Sequence, residues 1–180
     1  MRRRRAVVLF SLLACCAAPG AAVGSPTPSQ TVFTQKLLDD AETSAGVKRM
    51  LTAKTAIVDP RSGFVDVTGD GRQDALILVS TGGAGGAVAL YVFSTHGQST
   101  STSTAGGDDQ TSLKVVFRLQ SLYGASLRIS GTTVSVLEPR YAKGDDLCCP
   151  KKLRERDYAF DAKALTFRRT ADKDTPFTTD

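Results

Sequence analysis

The sequence has little of what catalytic sites are usually built from. His96 is the only histidine, and it stands at the edge of residues 96–111, which are mostly Ser, Thr, Gly and Asp. Nucleophilic hydrolysis needs a base and a group that orients it, and no serine or cysteine motif of that kind is present. We therefore expect a non-catalytic protein with a solvated His96. A secreted hydrolase that uses only carboxylates, with Asp66, Asp70 or Asp145 as candidates, is the alternative.

Cysteine is scarce too, and its arrangement argues against the common cysteine sites. Cys148 and Cys149 are adjacent and precede Pro150, with neither the partners of a zinc site nor a Cys-x-x-Cys spacing. Adjacent Cα atoms are about 3.8 Å apart, below the usual disulfide range of about 4.4–6.8 Å. We predict a strained disulfide between the two, which would suit a redox-responsive protein. Two free thiols, or pairing with another cysteine such as Cys16, are the alternatives.

The N-terminal apolar run is too short to cross a membrane as a helix. It spans Ala6–Ala14 and follows four arginines, and a basic head before a short apolar core is typical of a secretory signal. Leu12-Leu13-Ala14-Cys15 resembles a bacterial lipobox, in which the cysteine is lipidated. We predict a signal peptide at residues 1–15 with Cys15 as the lipidated residue. Cleavage before Ser25, which would release a secreted protein, is the alternative.

The excess of positive charge lies mainly in this signal. The chain has 23 Lys and Arg against 18 Asp and Glu, a net charge of +5. Without the four N-terminal arginines the balance is 19 against 18, a net charge of +1. The basic surface of a nucleic-acid-binding protein is therefore not predicted. The partners we expect are the membrane, through the lipid anchor, and a cell-surface protein or glycan.

The rest of the chain predicts one domain. Residues 16–30 are rich in Ala, Gly, Pro and Ser, which is typical of a flexible tether. Residues 31–170 have the length of a single globular domain, and the polar residues 171–180 are predicted to be disordered. Apolar residues at helical spacing predict a helical segment over Val32–Leu51, divided near Gly46.

Beyond the helical segment the apolar residues recur with the period of strands. The candidate strands are Thr55–Val58, Phe64–Val67, Ala75–Ser80, Val88–Ser94, Leu113–Leu119, Ala125–Ile129, Thr132–Leu137, Leu153–Phe160 and Leu165–Arg168. Clusters of Gly, Asp, Pro and Ser separate many of them, as in hairpins. The predicted fold is α+β and mostly β. It is an antiparallel sheet of about seven to nine strands with an N-terminal helical segment covering one side.

The clearest motif is the acidic loop, residues 66–74, between two of these strands. Its sequence is Asp66-Val67-Thr68-Gly69-Asp70-Gly71-Arg72-Gln73-Asp74. Calcium takes six to eight oxygen ligands, and oxygen-bearing side chains at alternate positions can converge on one ion. The ligands we predict are the side chains of Asp66, Thr68, Asp70 and Asp74 and the main-chain carbonyl of Arg72. The alternative is a plain turn in which the Asp and Gly residues bond only to the local backbone.

This loop is not an EF-hand, because Ile77 stands where the bidentate Glu would be. It resembles the shorter Asp-x-Asp-Gly-Asp-Gly-x-x-Asp loop of the FG-GAP and VCBS repeats, with Thr68 in place of Asp or Asn. Three carboxylates without that Glu predict weak binding, with a Kd on the order of 10⁻⁴ to 10⁻³ M. The repeats build propellers from several copies, and one copy here predicts no propeller.

A wider resemblance combines three elements in order. They are the acidic loop, the Gly-Gly-x-Gly-Gly sequence at 82–86, and the Gly-Asp-x-x-Cys-Cys-Pro sequence at 144–150. Together they resemble a group of bacterial envelope lipoproteins over Phe64–Phe167. The resemblance implies an exported location and a fold, but no activity.

Overall fold

The computed structural model of the chain describes residues 27–59, 63–82, 85–96, 113–146 and 150–177. The predicted signal peptide with Cys15, most of the predicted tether, and the pair Cys148 and Cys149 lie outside these ranges. The predictions about the lipid anchor and about the cysteine pair therefore stay predictions.

The first helix begins where the sequence offers a complete cap. α1 (Pro28–Asp39) starts at a proline, whose missing N–H costs nothing in the first helical turn. The Thr27 hydroxyl accepts a hydrogen bond from Gln30 N at 3.3 Å, and the Gln30 side chain accepts one from Thr27 N at 2.7 Å. This capping box satisfies two N–H groups that the helix leaves free. α1 thus begins inside the segment 16–30 that the sequence predicts to be a tether.

The second helix, α2 (Ala45–Thr52), follows a short turn that starts at Asp40. The sequence predicts the division near Gly46, which instead lies inside α2. The Asp40 carboxylate accepts hydrogen bonds from Glu42 N and from the Thr43 hydroxyl, both at 3.1 Å, and so favours a turn over continued helix. Among the described residues no helix is long and apolar enough to cross a membrane.

In the described part of the chain, eight strands form one antiparallel sheet, which confirms the predicted α+β, mostly β fold. The strands are β1 (Ala56–Val58), β2 (Phe64–Val65), β3 (Asp74–Thr81), β4 (Ala87–Ser94), β5 (Lys114–Ser130), β6 (Thr133–Arg140), β7 (Lys152–Asp161) and β8 (Thr166–Pro176). Their order across the sheet is β1-β3-β4-β5-β6-β7-β8, and β2 also pairs with β3. One edge of the sheet is therefore made by β1 and β2, and the other edge by β8.

β5 is bent, and the bend divides the sheet into two halves. Its first part pairs with β4, and its last part, Ser126–Ser130, pairs with β6. Ser121 and Gly124 have positive φ angles of 68° and 57°, which interrupt the regular pleat between the two parts. The sequence predicts two strands, Leu113–Leu119 and Ala125–Ile129. The structure has one continuous strand instead.

The C-terminal hairpin is longer than the sequence predicts. Disorder is expected after Thr170, but β8 continues to Pro176, opposite the start of β7. An ion pair between Arg154 Nη2 and Asp172 Oδ2, at 2.7 Å, helps to hold this extension. The extension is polar, so its pairing leaves no apolar periodicity in the sequence.

The helices cover one face of β3 and β4. The core on this side is formed by Phe33, Leu37, Val47, Leu51, Ala56, Val58, Ala75, Ile77, Val79, Ala89, Tyr91 and Phe93. Leu37 has no exposed surface, and burying a side chain of this size contributes roughly 2 kcal/mol. On β5, Gln120 accepts hydrogen bonds from Ser44 N at 2.6 Å and from the Tyr91 hydroxyl at 3.0 Å. The connection between the helices is thereby fixed to the sheet.

The other face of β3 and β4 packs against the second half of the sheet, because the sheet curls. Thr166 Oγ1, at the start of β8, donates to the Val116 carbonyl near the start of β5 at 2.9 Å. The second core contains Val67, Leu76, Ala87, Leu90, Val92, Phe117, Leu122, Ala125, Val134, Val136, Tyr158 and Phe167. Since β3 and β4 are buried on both faces, their sequences are almost continuously apolar.

Candidate functional site

The acidic loop lies at one end of the curled sheet, between its two halves. β2 and β3 pair antiparallel directly beside it, which confirms the predicted hairpin. Val67 is fully buried in the second core. Gly69 lies so close to the turn between β5 and β6 that a Cβ on it would be 3.2 Å from Thr132 Cγ2. One side of the loop is therefore packed against the two halves, while Gly69, Gly71 and Gln73 are exposed.

The Asp66 carboxylate closes the loop by accepting three main-chain hydrogen bonds. The donors are Gly69 N at 2.6 Å, Asp70 N at 3.2 Å and Gly71 N at 2.8 Å. Gly69 and Gly71 have φ angles of 76° and 81°, a conformation that glycine adopts without steric cost. The two glycines of the motif thus allow the backbone to wrap around one carboxylate.

Asp74, which is 1% exposed, holds the start of the loop from the opposite end. Its Oδ2 atom accepts hydrogen bonds from Val67 N and Thr68 N, both at 2.9 Å. Its Oδ1 atom and the Thr68 hydroxyl are buried, and neither has a hydrogen-bond partner among the described residues. A buried polar atom left without a partner costs about 1–3 kcal/mol, so a water or an ion is expected at these two oxygens.

The Asp70 carboxylate is bound to the arginine of the same loop. Its Oδ1 atom accepts from Arg72 N at 2.9 Å, and its Oδ2 atom accepts from Arg72 Nε at 3.2 Å and Nη2 at 2.9 Å. Burial acts to raise the pKa of the Asp70 carboxyl. The hydrogen bonds and charge of Arg72, together with the charge of His96, outweigh it, so this pKa lies below its ordinary value. Asp70 is therefore held as a carboxylate.

His96 belongs to this site, although the sequence predicts it to be solvated. Its Nδ1 atom lies 3.3 Å from Asp70 Oδ2, and its side chain is only 21% exposed. The imidazole ring packs edge-on against Phe160 of β7, with ring centroids 4.9 Å apart. Its main-chain N–H donates to the buried Ser94 hydroxyl at 2.9 Å. His96, two residues after the end of β4, thus lies beside the acidic loop.

The predicted calcium ligands lie in one loop, but their carboxylates are directed to different partners. Asp66 faces the loop N–H groups, Asp70 faces Arg72, and Asp74 faces the residues that start the loop. Within the described ranges, no three His, Cys, Asp or Glu side chains are grouped so as to hold a metal ion. The oxygen chemistry suits calcium, and the unpartnered oxygens of Thr68 and Asp74 fit it. The calcium site stays a prediction.

Gly144 and Asp145 begin the Gly-Asp-x-x-Cys-Cys-Pro sequence. They follow the end of β6 that lies away from the acidic loop. Asp145 accepts a hydrogen bond from Ala142 N at 2.9 Å and pairs with Lys151 Nζ at 3.4 Å. The Ala142 N–H and Lys151 together hold the pKa of the Asp145 carboxyl below its ordinary value. An eight-residue strand is roughly 23 Å long. Two carboxylates that cleave a glycosidic bond stand at most about 9.5 Å apart, so Asp145 cannot be paired with Asp66 for such a reaction.

A cavity of about 40 Å³ lies beside the start of α1, where Phe33 and Phe64 contribute to its wall. Small-molecule sites usually measure about 300–1,000 Å³, so this cavity fits a few waters rather than an organic substrate.

Comparison of the chain with protein-family models, with curated proteins and with solved structures finds no match. The acidic loop and the sequence at the N-terminus are therefore the features that bear on function.

Proposed function

We propose that this chain is an exported, lipid-anchored protein of the cell envelope with a non-catalytic binding or structural role. In this proposal the acidic loop is a structural site of the calcium type. The observation that carries the structural, non-catalytic role is the use of the carboxylates: Asp66 and Asp74 accept hydrogen bonds from the main chain of their own loop. Side chains used in this way hold a fold together rather than act on a substrate.

The packing around the loop supports the structural role. Val67 fills the second core, Gly69 contacts Thr132 on the turn between β5 and β6, and His96 contacts Phe160 on β7. Opening the loop would therefore expose apolar surface and separate the two halves of the sheet at this end. An ion bound here would stabilise the closed arrangement by adding ligand bonds that only the folded chain makes.

Calcium is the cofactor we propose, because every candidate ligand is an oxygen. Asp66, Thr68, Asp70 and Asp74 would hold it with their side chains, and Arg72 with its carbonyl. The bound ion would supply positive charge and cross-link the loop. The unpartnered buried oxygens of Thr68 and Asp74 support this assignment.

The envelope location is supported by the sequence. A basic head, a short apolar core and a cysteine in a lipobox-like position precede the folded residues. In the proposal, a lipid on Cys15 holds the domain at the membrane surface, where its partner is a cell-surface protein or glycan.

Thermal unfolding of the purified chain in calcium and in chelator tests the ion. At a calcium concentration about ten times Kd, binding adds about 1.4 kcal/mol, which corresponds to a Tm rise of roughly 3–5 °C. Asp70→Ala should abolish this rise, and magnesium in place of calcium should give little of it. Equal melting temperatures in calcium and chelator, for the wild type and Asp70→Ala alike, would contradict the calcium site.

A further inference from the structure

Arg72, the arginine of the acidic loop, binds the Asp70 carboxylate, which calcium would need as a ligand. Asp70 is a predicted ligand, yet Arg72 Nε and Nη2 both donate to its Oδ2 atom, and Arg72 N donates to its Oδ1 atom. The Asp70 side chain is only 11% exposed, so few other donors reach it. Hydrogen bonds between a guanidinium and a carboxylate are stronger than those between neutral groups, so Arg72 is a strong partner for Asp70.

The guanidinium is also fixed to a second strand. Arg72 Nη2 donates to the Thr95 carbonyl at 3.1 Å, just after the end of β4. Arg72 Nη2 therefore links the acidic loop to the residue that follows β4. Because Arg72 is held at both places, its charge stays beside Asp70 even though 40% of its side chain is exposed.

A cation bound to Asp70 Oδ2 would meet this guanidinium at the same atom. Two positive groups cannot both approach one carboxylate oxygen closely without repulsion, and the guanidinium would have to turn away. Separately, Thr68 and Asp74 keep buried oxygens without partners, so the loop has ligand capacity that Arg72 does not use.

We infer that Arg72 is a built-in competitor for calcium at the acidic loop. Its guanidinium neutralises Asp70 in the metal-free loop, and calcium binds only by displacing it. This inference rests on the proposed calcium site and adds the residue that sets its affinity.

The test is a calcium titration of the purified chain by calorimetry, with Arg72→Gln compared with the wild type. The substitution keeps the main-chain N–H that bonds Asp70 and the main-chain carbonyl that is a predicted ligand. We expect Arg72→Gln to bind calcium roughly five- to tenfold more tightly, since a partly exposed like charge is removed. We also expect it to melt at a lower temperature than the wild type in chelator, because Asp70 loses its two hydrogen bonds from the guanidinium.

Arg118→Gln is the matched control. Arg118 is also an arginine paired with a carboxylate, that of Asp40 at 3.4 Å, and its side chain is 32% exposed. This variant changes the net charge by the same amount but leaves the acidic loop intact, so its calcium affinity should equal that of the wild type. Arg72→Lys keeps the charge but loses the two-pronged contact, and its affinity should fall between those of the wild type and Arg72→Gln.

The outcomes separate the two proposals. If the wild type binds calcium and neither Arg72→Gln nor Arg72→Lys binds it more tightly, the competitor role is overturned and the calcium site stands. If neither the wild type nor the variants bind millimolar calcium, both proposals are overturned. A gain in affinity in Arg118→Gln equal to that in Arg72→Gln would assign the effect to net charge and overturn the role of Arg72.

Discussion

Protonation of Asp70 is the step by which we expect low pH to destabilise the acidic loop. Burial raises the pKa of its carboxyl. Arg72 and His96 lower this pKa by more than burial raises it, so the folded-state pKa lies below the ordinary value of 3.8. A carboxyl with a lowered folded-state pKa contributes stability in full above its unfolded-state pKa. That contribution is lost as the pH falls through the folded-state pKa.

Asp70→Asn should therefore be less sensitive to acid than the wild type. We expect the free energy of unfolding of the wild type to fall more steeply from about pH 5 to about pH 2 than that of the variant. Urea unfolding in chelator at several pH values measures this difference. Asp145, Asp161 and Asp172 also have lowered pKa values, but both proteins share them and their contributions cancel. Parallel pH profiles would contradict the prediction.

His96 shows why one residue of the site escapes sequence analysis. Its neighbours in the chain are polar and without periodicity, which favours solvent exposure. Its place beside Asp70 follows from strand pairing: Ala75 at the start of β3 lies opposite Phe93 near the end of β4. A prediction that paired these two strands in this register would have placed His96 near the loop.

At the scale of elements, the bend in β5 depends on a close approach between two glycines. Gly86 has a φ angle of 51°, and a Cβ built on it would stand 2.9 Å from Gly124 Cα. Real Cβ atoms essentially never come this close to backbone, so a side chain here would force the two strands apart. The start of β4 and the bend of β5 therefore require glycine at this contact.

Gly86→Ala should destabilise the protein by about 2 kcal/mol or more, through both the positive φ angle and the clash with Gly124. Gly46→Ala is the matched control, because the nearest atom to its added Cβ is Ser44 Oγ at 3.9 Å and it lies inside α2. There alanine should stabilise by roughly 0.5–1 kcal/mol. Urea unfolding compares the two variants. A stability equal to that of the wild type in Gly86→Ala would contradict the account of the bend.

The elements that the sequence predicts well are those in which one local signal decides the outcome. The apolar runs of β3 and β4 and the Asp and Gly spacing of the acidic loop are such signals. The bend at Ser121 and the extension of β8 to Pro176 depend on partners far along the chain. The Arg72–Asp70 contact is local, but its importance appears only once the Asp70 side chain is seen to be only 11% exposed.

At the scale of the whole molecule, the proposed anchor places one covalent attachment before a folded domain. Cys15→Ser should abolish incorporation of a labelled fatty acid and release the protein from the membrane fraction, because acylation of that sulfur is the only attachment proposed. Cys16→Ser, one residue further along, should leave both unchanged. Labelling of the Cys15→Ser variant, or none in the wild type, would contradict the lipoprotein assignment and favour a secreted protein.

The two edges of the curled sheet bear on whether copies of the chain can pair through their strands at high concentration. One edge consists of β1 and β2, with three and two residues, too short to recruit another chain along its length. The other is β8, whose pairing groups on the outer side would suit a strand from a neighbour. Arg168, Arg169 and Lys173 line this strand, and the last two stand near Asp172 and Asp174 in the chain. Charged rows of this kind discourage strand-by-strand fibril growth. We therefore expect copies of the chain to remain separate molecules even at high local concentration.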